Sequence, residues 1–242
     1  MEIHTLNVSQ GIDWIADGFG LFRKNPLIWI VIIMLFLAIE AVLGWIPLLG
    51  MAAVTLLQPI LLGGLMGGCR DLAEGRELRV QHLFDGFQRH TRPLVMVGVM
   101  SLAAYLVIGA IGATLFFLLG GAAVGFSAFV RGGVIGPSAT FPLVGAGIAA
   151  LMVLALIVPV TMATWFAPAL VWFRNLEPLD ALRQSFLGCW RNVLPFLVYG
   201  LIVLVLMGLA AIPFGLGILI MGPTLVGSTY AAYLDIFPDA DR

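Results

Sequence analysis

The sequence predicts an all-α transmembrane fold in which six spanning helices form three parallel repeats around a pseudo-threefold axis. Of the 242 residues, 61% are hydrophobic and only 10% are charged, whereas charged residues make up about 25% of an average soluble domain. A soluble domain of this length cannot hide so much apolar surface from water, so a lipid bilayer is the predicted solvent. Long apolar runs and a recurring segment complete the case.

Six apolar runs are long enough to cross a bilayer, because about 20 helical residues rising 1.5 Å each cover about 30 Å of hydrocarbon. Short turns at 46–50 and 212–215 join the first run to the second and the fifth to the sixth. The fourth run is long enough to tilt or to extend beyond the bilayer. The predicted spans are 26–45, 51–69, 94–119, 144–173, 193–212 and 214–234.

Basic residues are divided unequally between the two sides that these spans define. Eleven of the twelve lysines and arginines lie in the N-terminal segment, in 70–92, in 174–191 or at the C-terminus, and only Arg131 lies on the other side. Cytoplasmic loops carry an excess of Lys and Arg, so both termini are predicted to be cytoplasmic. Cys69 and Cys189 fall on that side and are predicted to be reduced thiols.

A segment near the N-terminus recurs twice without gaps. The copies at 12–25, 80–93 and 179–192 read IDWIADGFGLFRKN, VQHLFDGFQRHTRP and LDALRQSFLGCWRN. Each copy has apolar residues at the helical spacing i, i+3, i+7. A basic residue lies next to the end of each copy. Each copy is therefore predicted to be an amphipathic helix that lies on the cytoplasmic interface and leads into a span. The alternative is an ordinary helix packed on the rest of the protein.

The even-numbered spans also repeat. The stretch 59–72, PILLGGLMGGCRDL, matches 223–236, PTLVGSTYAAYLDI, and the fourth span follows more loosely from Pro159. Within a single membrane domain, 1–242, this defines repeat 1 (9–73), repeat 2 (79–174) and repeat 3 (177–237). Repeats that start on the same side are related by an axis along the membrane normal. The middle repeat is expanded on the outer side by a glycine-rich stretch, 120–141.

Polar residues inside the spans are candidates for an intramembrane site. Small residues four apart favour close packing of spans two, four and six around the axis, and a proline in each favours a kink that could leave a central cavity. Glu40 is the only charged residue well inside a span, which is a functional hypothesis by default. Its alternative role is to reach the outer headgroups, and the hydroxyls could instead satisfy helix carbonyls. The candidates are Glu40, Gln58, Thr161, Thr164 and Thr224.

The spacing of the histidines and cysteines and the lack of catalytic motifs argue against an enzyme. His4, His82 and His90 are the only histidines, and neither they nor the two cysteines have the spacing of a metal site. No catalytic or phosphate-binding motif is present, so neither a cofactor nor a metal is predicted. Basic residues that flank spans favour lipid headgroups over nucleic acid. The candidate headgroup contacts are Arg23, Lys24, Arg89, Arg92 and Arg191.

Several stretches resemble an uncharacterised family of proteobacterial inner-membrane proteins. They read GFGLFRKNPLIW, FAPALVWF, GCWRNVLPFLVYGL and YAAYLDIF, and the resemblance implies a bacterial inner membrane. The repeated layout is also distantly similar to the membrane domain of some glycerophosphodiester phosphodiesterases. This chain has no phosphodiesterase domain, so no hydrolase residue carries over.

Two functions stay open at this point. The first is a non-catalytic membrane protein that binds membrane lipids or other membrane proteins, as the basic segments beside the spans suggest. The second is a small-molecule transporter or channel with a central path between the kinked helices two, four and six.

Overall fold

The computed structural model of this protein describes residues 2–121 and 140–238. Within those ranges the chain forms helices and turns and no strand. Short 3₁₀ turns occupy Val80–Leu83 and Asp85–Phe87, and a π turn occupies Phe117–Gly121. The α-helices are Gln10–Lys24 (α1), Pro26–Gly44 (α2), Leu49–Ala73 (α3), Thr91–Phe116 (α4), Thr140–Trp165 (α5), Ala167–Arg174 (α6), Pro178–Arg191 (α7), Val193–Ala211 (α8) and Ile218–Ile236 (α9).

Five helical stretches in the described part of the chain are long and apolar enough to cross a membrane. They correspond to the first five predicted spans: Pro26–Gly44, Leu49–Ala73, Thr91–Leu119, Gly145–Arg174 and Val193–Ala211. The sixth predicted span, 214–234, is not confirmed. Its region does form the 19-residue helix α9, but Thr224, Ser228 and Asp235 are among the polar residues that lower its hydropathy.

Tight turns join α2 to α3 and α8 to α9, as predicted. In the first turn, the amide of Gly50 donates to the carbonyl of Ile46 at 2.8 Å. A Cβ atom at Gly50 would collide with the carbonyl oxygen of Leu43, so only glycine lets the two helices close so tightly. The second turn contains Gly215, which has a left-handed φ of 79°.

The chain divides into two compact units. Residues 100–161 form the smaller unit, and 2–99 with 162–238 form the larger one within the described ranges. In the smaller unit α4 and α5 approach closely, because a Cβ atom at Gly112 would lie 2.8 Å from Cγ2 of Val153. The predicted glycine-rich expansion, 120–141, lies mostly outside the described residues, and so does Arg131.

Helix α1 packs along α9 in the larger unit. A Cβ atom at Gly18 would collide with the carbonyl oxygen of Thr224 and with Ser228. From the other side, a Cβ atom at Gly227 would lie 2.9 Å from the Cα of Gly18. Glycine at both positions therefore brings the two backbones into direct contact.

The recurring segments differ in their local structure. The first and third form α1 and α7, which confirms the helices predicted there. The second prediction was wrong, because 80–93 forms two 3₁₀ turns and then enters α4 at Thr91. Gly86 is a poor helix former, and His90 has a left-handed φ of 56° that ends the segment before α4.

The fourth span breaks at Phe166, between α5 and α6. The sequence predicted a kink at Pro159, which lies inside α5. The break comes later because Pro168 has no amide hydrogen and its ring would clash with the carbonyl of residue 164 in a continuous helix. Ser185 bridges the break, since its Oγ donates to the carbonyl of Met162 at 2.7 Å and accepts from the amide of Phe166 at 2.9 Å.

The contact between α1 and α9 can be tested with two glycines of the same helix. Gly18→Ala should destabilise the protein by about 1–3 kcal/mol, because the added methyl group forces the two backbones apart. Gly20→Ala is the control, since nothing lies within 4 Å of a Cβ atom there. It should leave stability unchanged or raise it by about 0.5–1 kcal/mol. Equal unfolding temperatures for the two variants in detergent would contradict this packing.

Candidate functional site

The five candidate headgroup residues lie beside the first turns of apolar helices, and all five side chains are exposed. Arg23 and Lys24 end α1 immediately before α2. Arg89 and Arg92 flank the start of α4, and Arg191 ends α7 before α8. Lys24 is partly engaged, because its Nζ donates to the carbonyl of Leu72 at 2.8 Å. These cations can attract anionic headgroups where the chain enters a span.

Large apolar side chains are exposed in the same three segments. In α1, Ile12 is 53% exposed and Phe19 is 42% exposed. Phe87, which matches Phe19 in the recurring segment, is 43% exposed. In α7, Leu179 is 65% and Trp190 is 63% exposed. Exposed apolar residues beside cations are the pattern of a surface that lies at the boundary between headgroups and acyl chains.

The buried face of α1 is held to α9 by a hydrogen bond to a carboxylate. The fully buried indole of Trp14 donates from Nε1 to Oδ2 of Asp235 at 2.9 Å. Gln10 donates to the same oxygen at 3.1 Å. Hydrogen bonds to a charged acceptor are stronger than neutral ones, so Asp235 fixes the rotation of α1 about its own axis.

A matching bond holds the second segment to α3. His82 Nε2 lies 3.1 Å from Oδ2 of Asp71, and His82 Nδ1 accepts the amide hydrogen of Arg79 at 3.0 Å. Because Nδ1 accepts this hydrogen, Nε2 is the ring nitrogen that can donate to Asp71. The Arg76 guanidinium also donates to Asp71, at 2.7 Å.

Asp17 lies on the exposed side of α1, near the carboxylates of Asp235 and Asp13. Burial raises the pKa of Asp17, and the charges of Asp235 and Asp13 raise it further. A folded-state pKa above the unfolded value means that this charge opposes folding once the pH exceeds the unfolded pKa. Asp17 therefore does not stabilise α1, which is held instead by Asp235 and the glycine contact.

Two of the candidate intramembrane residues lie together in one cleft. Glu40 of α2 and Gln58 of α3 line a small cleft in the first hairpin, with a free volume of about 10 Å³. The other lining residues are apolar: Phe36, Ile39, Leu43, Val54, Leu57 and Leu61. A carboxylate and an amide thus face a small space whose walls are otherwise hydrocarbon.

The three candidate threonines are not among the residues that line this cleft. Thr224 Oγ1 donates to the carbonyl of Ile220 at 2.8 Å, and Thr161 Oγ1 donates to that of Ile157 at 3.0 Å. Such bonds to the preceding turn satisfy a hydroxyl inside its own helix. Thr164 is half-buried near the end of α5. In the described residues, no group of three or more His, Cys, Asp or Glu side chains could hold a metal ion.

Two polar clusters were not predicted from the sequence. Asn192, at the junction of α7 and α8, accepts from the amide of Leu6 at 2.8 Å and donates to the carbonyl of His4 at 2.9 Å. Arg174 donates to the carbonyl of Phe237 at 2.6 Å, where α9 ends. Both contacts join residues that are far apart in sequence, so no local pattern indicates them.

In the described part of the chain, several helices are apolar and long enough to cross a membrane and carry few cations. They define the class: a multi-pass α-helical membrane protein. The chain belongs to the family described as domain of unknown function DUF7847, whose match covers residues 12–238. It is 31% identical to a probable inner membrane protein of Burkholderia thailandensis over 98% of this chain and 92% of that protein. This relative and the apolar helices support an inner-membrane location. No solved structure matches the chain, and the distant similarity to phosphodiesterase membrane domains is not shown.

The bond between Trp14 and Asp235 can be measured by a double-mutant cycle with Trp14→Phe and Asp235→Ala. The two residues should couple by about 1.5–3 kcal/mol in unfolding free energy, because the bond has a charged acceptor and a buried donor. Asp13 lies in the first turn of α1, and the cycle of Trp14→Phe with Asp13→Ala is the control with little coupling expected. Similar coupling in both cycles would mean that the bond does not hold α1 in place.

Proposed function

We propose that this protein is a non-catalytic lipid-binding protein of the inner membrane, whose three recurring segments bind anionic phospholipid headgroups. The observation that carries the proposal is the coincidence of exposed cations and exposed apolar side chains in the same segments. In α1, for example, Arg23 follows Phe19 by one helical turn. A cation near an anionic membrane surface contributes about 1 kcal/mol of attraction, and each apolar side chain adds burial in the interface.

The proposal includes the arrangement of three repeats as a closed ring. Its support is a set of matching contacts. Gly18 in the first segment faces the carbonyl of Thr224, and Gly86 in the second faces that of Ile60. Ile60 directly follows Pro59 in α3, and Thr224 directly follows the matched Pro223 in α9. The bonds from Trp14 to Asp235 and from His82 to Asp71 also join matched positions.

The third segment fits the same scheme. Ser185 corresponds to Gly18 and Gly86 in the recurring segment, and it bonds Met162 at the end of α5. Each recurring segment would thus pack on the second long helix of the preceding repeat. The first segment, α1, would close the ring by packing on α9, the second long helix of repeat 3. This scheme presents all three basic segments to one membrane surface, which we propose is cytoplasmic.

A central transport path is less well supported than lipid binding. Thr224 and Ser228 of α9 are buried, and their hydroxyls donate to the carbonyls of Ile220 and Thr224. Hydroxyls that are satisfied within their own helix leave little to replace the hydration shell of a solute.

Lipid binding can be tested with a variant in which Arg23, Arg89, Arg92 and Arg191 are all changed to Gln. The wild type should retain phosphatidylglycerol over phosphatidylcholine in native mass spectrometry, and the variant should lose most of that preference because four interfacial charges are gone. The preference should also weaken with added salt.

The control for this test is Arg76→Gln. Arg76 is exposed and basic, but its guanidinium is bound to Asp71 and Glu74 and it is not beside the first turn of a span. Its loss should leave the lipid preference unchanged. A quadruple variant that folds and keeps the full preference for phosphatidylglycerol would rule out the proposed role.

Orientation can be tested with single cysteines introduced at Ser9, Gln184 and Phe214. Native thiols should not interfere, because Cys69 and Cys189 are buried and burial raises the pKa of Cys189 to about 12. In intact spheroplasts an impermeant maleimide should label the Phe214→Cys variant alone, and permeabilisation should expose the other two. Labelling of the Ser9 and Gln184 variants from opposite sides would refute the parallel repeats.

A further inference from the structure

We propose that the cleft between α2 and α3 binds the primary ammonium group of a phospholipid, with Glu40 as its counter-ion and Gln58 as a second oxygen ligand. The lipid class that this chemistry selects is phosphatidylethanolamine. The site is separate from the basic segments, and it adds a second lipid specificity that depends on the amine and not on net negative charge.

The position of Glu40 along α2 brings it within reach of headgroups. It lies four residues before Gly44, the last residue of α2, which corresponds to about 6 Å along the helix axis. The basic end of the hairpin, at Arg23 and Lys24, is the opposite one. Trp45 follows directly and is highly exposed, as expected of an aromatic residue at the membrane–water boundary. A headgroup at this end needs only a short descent to meet the carboxylate.

The lining of the cleft suits one end of an amphiphile. An unpaired carboxylate between apolar helices is costly in a bilayer, and a cation beside it offsets that cost. Glu40 and Gln58 supply at most three side-chain oxygens, whereas a divalent ion such as Ca²⁺ takes six to eight oxygen ligands. An ammonium group needs only three hydrogen-bond acceptors.

The size of the cleft excludes a larger solute. Its free volume of about 10 Å³ has room for about one water-sized group. The ammonium group alone could enter, while the rest of the lipid lies along apolar wall residues such as Phe36 and Leu57. The quaternary ammonium of phosphatidylcholine has no N–H donor and is bulkier, so it should be rejected.

The test compares two lipids that differ only in this group. Full-length protein is placed in nanodiscs that contain equal amounts of phosphatidylethanolamine and phosphatidylcholine at a fixed fraction of phosphatidylglycerol, and bound lipid is counted by native mass spectrometry. The wild type should retain ethanolamine lipid about tenfold over choline lipid, as one charge-assisted hydrogen-bonded site allows. Glu40→Gln should abolish that preference and leave the phosphatidylglycerol preference intact.

The matched control is Glu177→Gln, which removes an exposed carboxylate that precedes α7 and should change neither preference. No ethanolamine preference in the wild type, or an undiminished preference in Glu40→Gln, would overturn the proposal without affecting the role of the basic segments.

If Glu40→Gln does not fold, the wild type can decide. Dicyclohexylcarbodiimide, which modifies membrane-embedded carboxyl groups, should modify Glu40 more slowly in ethanolamine lipid than in choline lipid. Equal rates in the two lipids would then overturn the proposal.

Discussion

The larger unit depends on the close contact between α1 and α9, which joins the beginning of the chain to its end. Gly18 and Gly227 remove the side chains that would separate the two backbones, and the bond from Trp14 to Asp235 fixes their rotation. Backbone contact and a hydrogen bond to a carboxylate therefore both stabilise the packing of α1 on α9. This contact joins the first and last described helices of the larger unit.

The contact with α9 also explains the two-sided character of α1. A helix that bound only lipid would need one apolar face, whereas α1 has a buried face around Trp14 and an exposed apolar stripe with Ile12 and Phe19. The buried face determines where the helix lies on the protein. The stripe with Ile12 and Phe19 and the cations that follow it stay exposed on the surface of the larger unit.

The sequence predicts the spans well and the local structure of the short segments less well. A long apolar run has one favourable solution in lipid, a helix, and the first five predicted runs do form helices long and apolar enough to cross a membrane. The segment 80–93 carries the same apolar spacing as α1 but forms 3₁₀ turns, and His90 has a left-handed φ of 56° just before α4. A single residue with such a backbone conformation leaves the apolar spacing unchanged, so the periodicity gives no sign of it.

The candidate site was predicted in part for the same reason. Exposed cations beside spans can be found by position alone, and all five lie there. The sequence groups Glu40 and Gln58 with three threonines, but the threonines do not line the cleft that Glu40 and Gln58 share. That pairing depends on how α2 folds back on α3. The contacts of Asn192 could not be predicted, because they join it to Leu6 and His4. Those residues precede α1 and lie outside the recurring segments.

The proximity of the segment before α1 to the end of α9 has a consequence for protein engineering. The amide of His4 donates to the carbonyl of Ile236 at 3.0 Å, so a short linker could join these two described residues. New ends could then be opened at an exposed connection such as Gly75, since chain breaks are best tolerated where little backbone is buried. A permuted chain of this kind would begin with a different hairpin and keep the contact between α1 and α9.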